Sequence, residues 1–370
     1  MQKVNLSSWQ VFTMTFCFCA GTTIIILPGI ILREGKQLSY LLCLCHLIFG
    51  LIIALLWLYL SKRNPGKSLI QIISHTLGKW VGGFICLLYV GFFIQIASWV
   101  TKNLTDFIHI NTMPKTPIIV FTIVILFLSS YSALKGVESI AKVSEILFMF
   151  GVLAFYIPLS FMFTEWDWTN FRLPHDYHFY DTLIKTRYVT AIPYMETIIF
   201  LMVFPNVSRG VKFGYLSGMI FGGLLFAITI FFTIGILGIE RCSHLIYPLY
   251  TMFREIRLSF FFEHLESILA INIFLFVIFK LSVIVYATVL AICQVFNINK
   301  REVVSYPLIW IIAGYSLVTN SVVENVYFIE KYLFSYYLPF TVYLPILLIL
   351  GTWYKQKKFT QIKGIKNNYD

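Results

Sequence analysis

Residues 9–32 read Trp9-Gln10-Val11-Phe12-Thr13-Met14-Thr15-Phe16-Cys17-Phe18-Cys19-Ala20-Gly21-Thr22-Thr23-Ile24-Ile25-Ile26-Leu27-Pro28-Gly29-Ile30-Ile31-Leu32. The stretch carries no charge, and about 20 apolar residues suffice to cross a bilayer as a helix. It is too long for the apolar region of a signal peptide. Pro28-Gly29 follows it in place of a small-residue cleavage site, so no cleavable leader is expected. Two features interrupt it: Gly21-Thr22-Thr23 at mid-depth and Pro28-Gly29 near its end. An unwound turn at Gly21–Thr23 would free backbone N–H groups and present a half-helix N-terminus, both suited to a ligand carboxylate. The competing reading is that the Thr hydroxyls bond back to their own helix and Gly21 lets another helix pack closely.

Outward from this segment, windows of similar length and character recur at 38–61, 80–101, 117–134, 140–163, 188–207, 211–237, 265–296, 303–322 and 335–354. The expected fold is an all-α polytopic membrane protein, one transmembrane domain over residues 1–370 with about ten spanning helices. Composition agrees. Hydrophobic residues make up 59% of the chain and charged residues 12%, against about a quarter charged in a soluble domain. The chain cannot cover a water-facing surface, so lipid is its solvent and its first partner. The net charge of +11 does not point to nucleic acid, because the basic residues are scattered through short loops. Their one run, Lys355, Lys357, Lys358, Lys363 and Lys366, lies in the tail 355–370 and reads as an anchor against anionic lipid.

An even number of spans places both termini on one side, and that side carries the larger share of Lys and Arg. By the positive-inside rule it is cytoplasmic. The long polar loop 164–187 is then extracytoplasmic and joins two five-span sets, 9–163 and 188–354. The first span of each set is interrupted, the second set's by Pro193 near its start and Pro205 near its end. Breaks at matching positions of two halves point to a 5+5 inverted repeat with a ligand site at the midplane. Residues 68–77 and 245–258 read as amphipathic surface helices.

Other chemistry is thin. Gly66-Lys67-Ser68 looks like the end of a phosphate-binding loop, but Ser61 stands where that loop needs its first Gly. The paired Cys17/Cys19 and Cys43/Cys45 sit in apolar runs, where thiols act as small hydrophobes. His175-Asp176-Tyr177-His178 reads as solvated loop before it reads as a metal site. No metal, no cofactor and no enzyme activity are expected. A membrane acyltransferase using a loop His is the alternative outside transport.

Several stretches together, in their order and spacing, resemble the B subunit of bacterial endospore germinant receptors, a branch of the amino acid–polyamine–organocation transporter superfamily. They are Leu6-Ser7-Ser8-Trp9-Gln10, Gly21-Thr22-Thr23 with Pro28, Pro65-Gly66-Lys67-Ser68-Leu69 with Leu77-Gly78-Lys79, and Gly136 through Lys142. Tyr194-Met195-Glu196 through Phe204-Pro205-Asn206-Val207 and Phe279-Lys280-Leu281-Ser282 complete the set. Lys142 stands where the family usually has Arg, and Leu38-Ser39-Tyr40 replaces a polar stretch with Trp. The resemblance implies a ten-helix inverted repeat in the spore inner membrane that recognises a small nutrient germinant, often an amino acid, beside a large A subunit and a lipoprotein C subunit. The alternative within transport is a stand-alone proton-coupled amino-acid symporter.

Within the spans, Glu196 and Lys280 are the charges at depth, and such residues usually face a cavity and find a partner. In the fold the resemblance implies, spans 1, 6 and 8 converge on the ligand and coupling-ion sites. Glu196 and Lys280 are accordingly expected as a functional pair. The candidate ligand-binding residues are Gly21, Thr22, Thr23, Tyr89, Gln95, Tyr194 and Glu196.

Overall fold

A computed structural model of the chain describes residues 5–161, 165–173, 176–255, 265–318 and 321–366, with side chains described to 355. His175, residues 256–258 of the expected second surface helix and the side chains of Lys357, Lys358, Lys363 and Lys366 lie outside the described residues. Among those described, the chain is helical. The one extended contact is a parallel bridge between Leu6 and Val207.

Among the described residues, seven helical stretches are long and apolar enough to cross a membrane. The first runs from Ser8 to Arg63 and holds two helices, α1 (Ser8–Gly35) and α2 (Ser39–Arg63), reversed at a single tight turn, Lys36–Leu38. The remaining long helices are α4 (Lys79–Asn111), α5 (Ile118–Lys135), α6 (Val137–Phe161), α8 (Val211–Leu237), α11 (Leu265–Phe296) and α13 (Val322–Lys355). Shorter pieces are α3 (Leu69–Leu77), α7 (Phe179–Lys185), α9 (Ile239–Cys242), α10 (Pro248–Glu255) and α12 (Arg301–Ser316).

Local chemistry sets the boundaries. Ser7 caps α1, accepting from Gln10 N while the Gln10 side chain accepts from Ser7 N. The Pro65-Gly66-Lys67-Ser68 stretch does the same for α3. Gly66 supplies the positive φ of the turn, and Ser68 and Gln71 form a second reciprocal cap. Lys142, exposed on α6, pairs with Glu138 one turn earlier at 2.9 Å.

The core is organised around α1, which packs against α8, α11 and α6. The contact with α8 is close because Gly214, Gly218 and Gly222 form a stripe along it. A Cβ at Gly218 would stand 2.6 Å from Phe12 O, and one at Gly222 would stand 2.8 Å from Cys19 Cβ. Small residues at this period let two membrane helices approach through their backbones, where dispersion is strongest.

The two expected breaks have different outcomes. α1 does not unwind at Gly21–Thr23; it is continuous from Ser8 to Gly35 with Pro28 inside it. The helix runs through Gly21–Thr23, and the Thr23 hydroxyl donates back to Cys19 O at 2.5 Å. The second segment is broken. Ile192 leaves the helical region (φ −107°, ψ 121°) ahead of Pro193, and tighter helical turns follow through Met195–Met202 and Phe204–Asn206. Pro193 has no N–H to donate, and its ring disfavours the helical region for the residue before it, which is where Ile192 departs.

Candidate functional site

Lys280 lies midway along α11 and is completely buried. An ammonium in that setting must find partners or leave, and it finds three. Its Nζ donates to Glu196 Oε2 at 2.5 Å and to Thr22 Oγ1 at 2.6 Å, and it lies 4.9 Å from the centroid of the Phe18 ring. Glu196, 3% exposed, takes a second donor on its other oxygen: Tyr337 Oη at 3.1 Å. Four elements therefore meet at one charge pair: α1 through Phe18 and Thr22, the broken segment through Glu196, α11 through Lys280, and α13 through Tyr337.

Each element contributes for a local reason. Glu196 sits in the tight turns that follow Pro193, where the broken ladder leaves the segment without regular helical register. Gly21 lets Lys280 reach the pair. A Cβ there would stand 3.0 Å from Lys280 Cδ, 3.2 Å from its Cβ and 3.3 Å from Phe276 O. Phe18 packs edge-on against Phe200, at 5.4 Å between centroids, which holds its face toward the ammonium. The arrangement is a desolvated, hydrogen-bonded ion pair.

The other expected residues lie elsewhere. Thr23 bonds its own helix. Tyr89 is buried on α4, donates to Phe340 O at 2.6 Å and packs against Phe93 and Phe340. Gln95 lines a separate surface recess of about 390 Å³ with Trp99, Tyr315 and Tyr336. Tyr194 occupies a slot between Gly50 and Gly223, both of which lack the Cβ that would collide with it. Its hydroxyl has no hydrogen-bond partner among the described residues.

Tyr337 is the member that sequence reasoning missed, one Tyr in an aromatic-rich last span. A second buried pair was missed as well. α4 runs past residue 101 to Asn111 and carries Lys102 and Asp106 inward, 2.8 Å apart, beside the Asn103–Asn325 bond at 2.7 Å.

Comparison with known proteins accords with this architecture. The family model described as spore germination protein matches residues 5–325. The chain is 25% identical to spore germination protein KB of Bacillus subtilis (strain 168) over 377 residues, covering 98% of this chain and 99% of that protein. It is 24% identical to spore germination protein YndE of the same organism, covering 96% and 98%. Spore germination protein B2, also from that organism, is 24% identical over 72% of this chain and 73% of its own length. With apolar helices repeated along the chain and a match running from the start of α1 into α13, this is a multi-pass membrane protein that belongs to the spore germination permease family, the B type of germinant receptor.

Proposed function

We propose that the chain is the membrane subunit of a spore germinant receptor that recognises a small nutrient germinant, an amino acid by preference, at the Glu196–Lys280 pair. The observation that carries this reading is the pair itself: two opposite charges, fully desolvated, held by four elements of which one is broken beside the acid. An amino acid is a zwitterion, so its ammonium can replace Lys280 at Glu196 while its carboxylate meets Lys280 and the Thr22 hydroxyl. Such an exchange conserves charge within the site and shifts the packing of α1, α11 and α13 against the broken segment. The receptor would read that shift as the signal.

In this proposal the chain makes ten passes arranged as a 5+5 inverted repeat. The short segments Thr190–Asn206 and Arg301–Ser316 count as passes and the Ser8–Arg63 stretch counts as two. Residues 164–187 form the extracytoplasmic connection, both termini and the basic tail 355–370 are cytoplasmic, and the spore inner membrane is the location. A and C subunits complete the receptor.

Glu196→Gln tests the site. It keeps the Tyr337 hydrogen bond and the side-chain volume but removes the charge that would hold a ligand ammonium. The expected result is a germinant concentration for half-maximal response raised about tenfold or more, the scale of one charge-assisted bond. A variant present at parent level with an unshifted dose response would place recognition elsewhere. The stand-alone symporter reading has its own check. Spores lacking the partner genes should hold little of this chain by immunoblot, an expectation that rests on family analogy. A normal level with nutrient sensitivity intact would favour the symporter.

A further inference from the structure

A recess of about 390 Å³ opens where the end of α1, the entry to the broken segment and the start of α13 meet. It is lined by Glu34, Lys185, Arg187, Tyr188, Tyr327, Glu330 and Lys331. Its volume falls within the range of small-molecule sites, about 300–1,000 Å³. Its lining is unusual for a membrane protein because it carries both signs of charge, and those charges are incompletely satisfied. Glu34, Lys185 and Arg187 form no ion pair among the described residues. Lys331 is engaged, donating to Tyr327 Oη at 2.9 Å. Glu330 Oε1 is buried, 4.0 Å from Arg33, and makes no hydrogen bond.

The decisive group is Tyr188. It is 1% exposed, it lines the recess, and its hydroxyl is buried with no hydrogen-bond partner among the described residues. A buried polar group left unsatisfied costs about 1–3 kcal/mol. Native chains leave few such groups, and a water, an ion or a ligand is the usual completion. A donor of this kind, in a recess that also carries the cations of Lys185 and Arg187 and the carboxylates of Glu34 and Glu330, suits a ligand that carries an anion and a cation a few atoms apart.

We infer that this recess is a second binding site for a small α-amino acid zwitterion, distinct from the Glu196–Lys280 pair. The ligand carboxylate takes Arg187, Lys185 and the Tyr188 hydroxyl, and the ammonium takes Glu34 and Glu330. In the topology proposed above the recess faces the extracytoplasmic side, and Tyr188 belongs to the strand of chain that leads directly into the break at Ile192. An occupant is therefore held at the outer end of the segment that carries Glu196, so the recess can load a ligand before it reaches the central pair.

Full-length chain in lipid nanodiscs, titrated with each tritiated proteinogenic L-amino acid, tests this. For at least one amino acid the parent should show two saturable sites per chain. Arg187→Gln and Glu34→Gln should each remove one of them or weaken it about tenfold or more, leaving the other unchanged. Tyr188→Phe, which keeps the ring and the fold, should weaken the same site. Lys280→Met should remove the opposite one, so failure of the central reading and failure of this inference are told apart. Propionate and propylamine, each carrying half of the zwitterion, should compete at this site about tenfold more weakly than the amino acid or worse. The inference is overturned if Arg187→Gln, Glu34→Gln and Tyr188→Phe all bind as the parent does. It is equally overturned if propionate competes as well as the amino acid, or if no amino acid binds at a site that these three substitutions weaken.

Discussion

Lys280→Met is expected to abolish the nutrient response of spores at every germinant dose. Met keeps the length and apolar stem of Lys but removes the ammonium that bonds Glu196 at 2.5 Å and Thr22 at 2.6 Å. Glu196 would then be a buried carboxylate with Tyr337 as its remaining donor. Removing one partner of a buried pair costs about 3–5 kcal/mol because the other charge is stranded. Loss of response could therefore come from loss of the protein. Immunoblotting of spore membranes separates the two, and so does the double variant Lys280→Met with Glu196→Gln, which restores neutrality at the site. The double variant should reach parent levels and stay silent. If it germinated at the parent's dose, the pair would be a packing device with no part in recognition.

Gly21→Leu should have an effect of the same size by a different route. On the sequence alone, Gly21 has three reasons to matter: unwinding of α1, approach of a ligand, or close packing of another helix. α1 is continuous, and the requirement is one of space: a Cβ already reaches within 3.0 Å of Lys280 Cδ and 3.3 Å of the Phe276 carbonyl. Overpacking of this kind typically costs about 1–3 kcal/mol, and here the atoms that must yield include the stem of the functional lysine. The expected outcome is a chain inserted in the membrane whose spores ignore nutrient, while Gly21→Ala, with one methyl, retains a weakened response. Spores carrying Gly21→Leu that germinated at normal rate and dose would show that the α1–α11 contact is not critical to the site.

Charge and hydropathy made the central pair legible. Glu196 and Lys280 stand out because lipid-spanning sequence otherwise excludes such groups, and spans 211–237 and 265–296 match α8 and α11 because apolar runs ended by polar residues leave little freedom. Tyr337 carried no comparable signal, since Tyr also marks interfaces and packs in cores, and only the arrival of α13 beside Glu196 gives its hydroxyl a role. Lys102 and Asp106 fall just past the apolar window 80–101. The helix continues through them, and their mutual hydrogen bond makes burial tolerable. Gly21-Thr22-Thr23 misled for a related reason. Gly and Thr permit unwinding, but a β-branched hydroxyl that bonds the preceding turn satisfies itself without it. At Pro193 the residue before it, Ile192, does leave the helical region.

The chain ahead of α1 is tied to the far end of the broken segment: Leu6 N donates to Asn206 O at 2.8 Å, and Ser208 N donates to Leu6 O at 3.3 Å. With the contact through Lys280, which joins Thr22 to Glu196, α1 and the broken segment are fastened at two places along their length. Phe18 against Phe200 adds a packing contact between the same two segments. In the exchange proposed above, a ligand would take the place of the direct Lys280 tie while the Leu6 bridge stays, making that bridge the pivot about which the two segments shift.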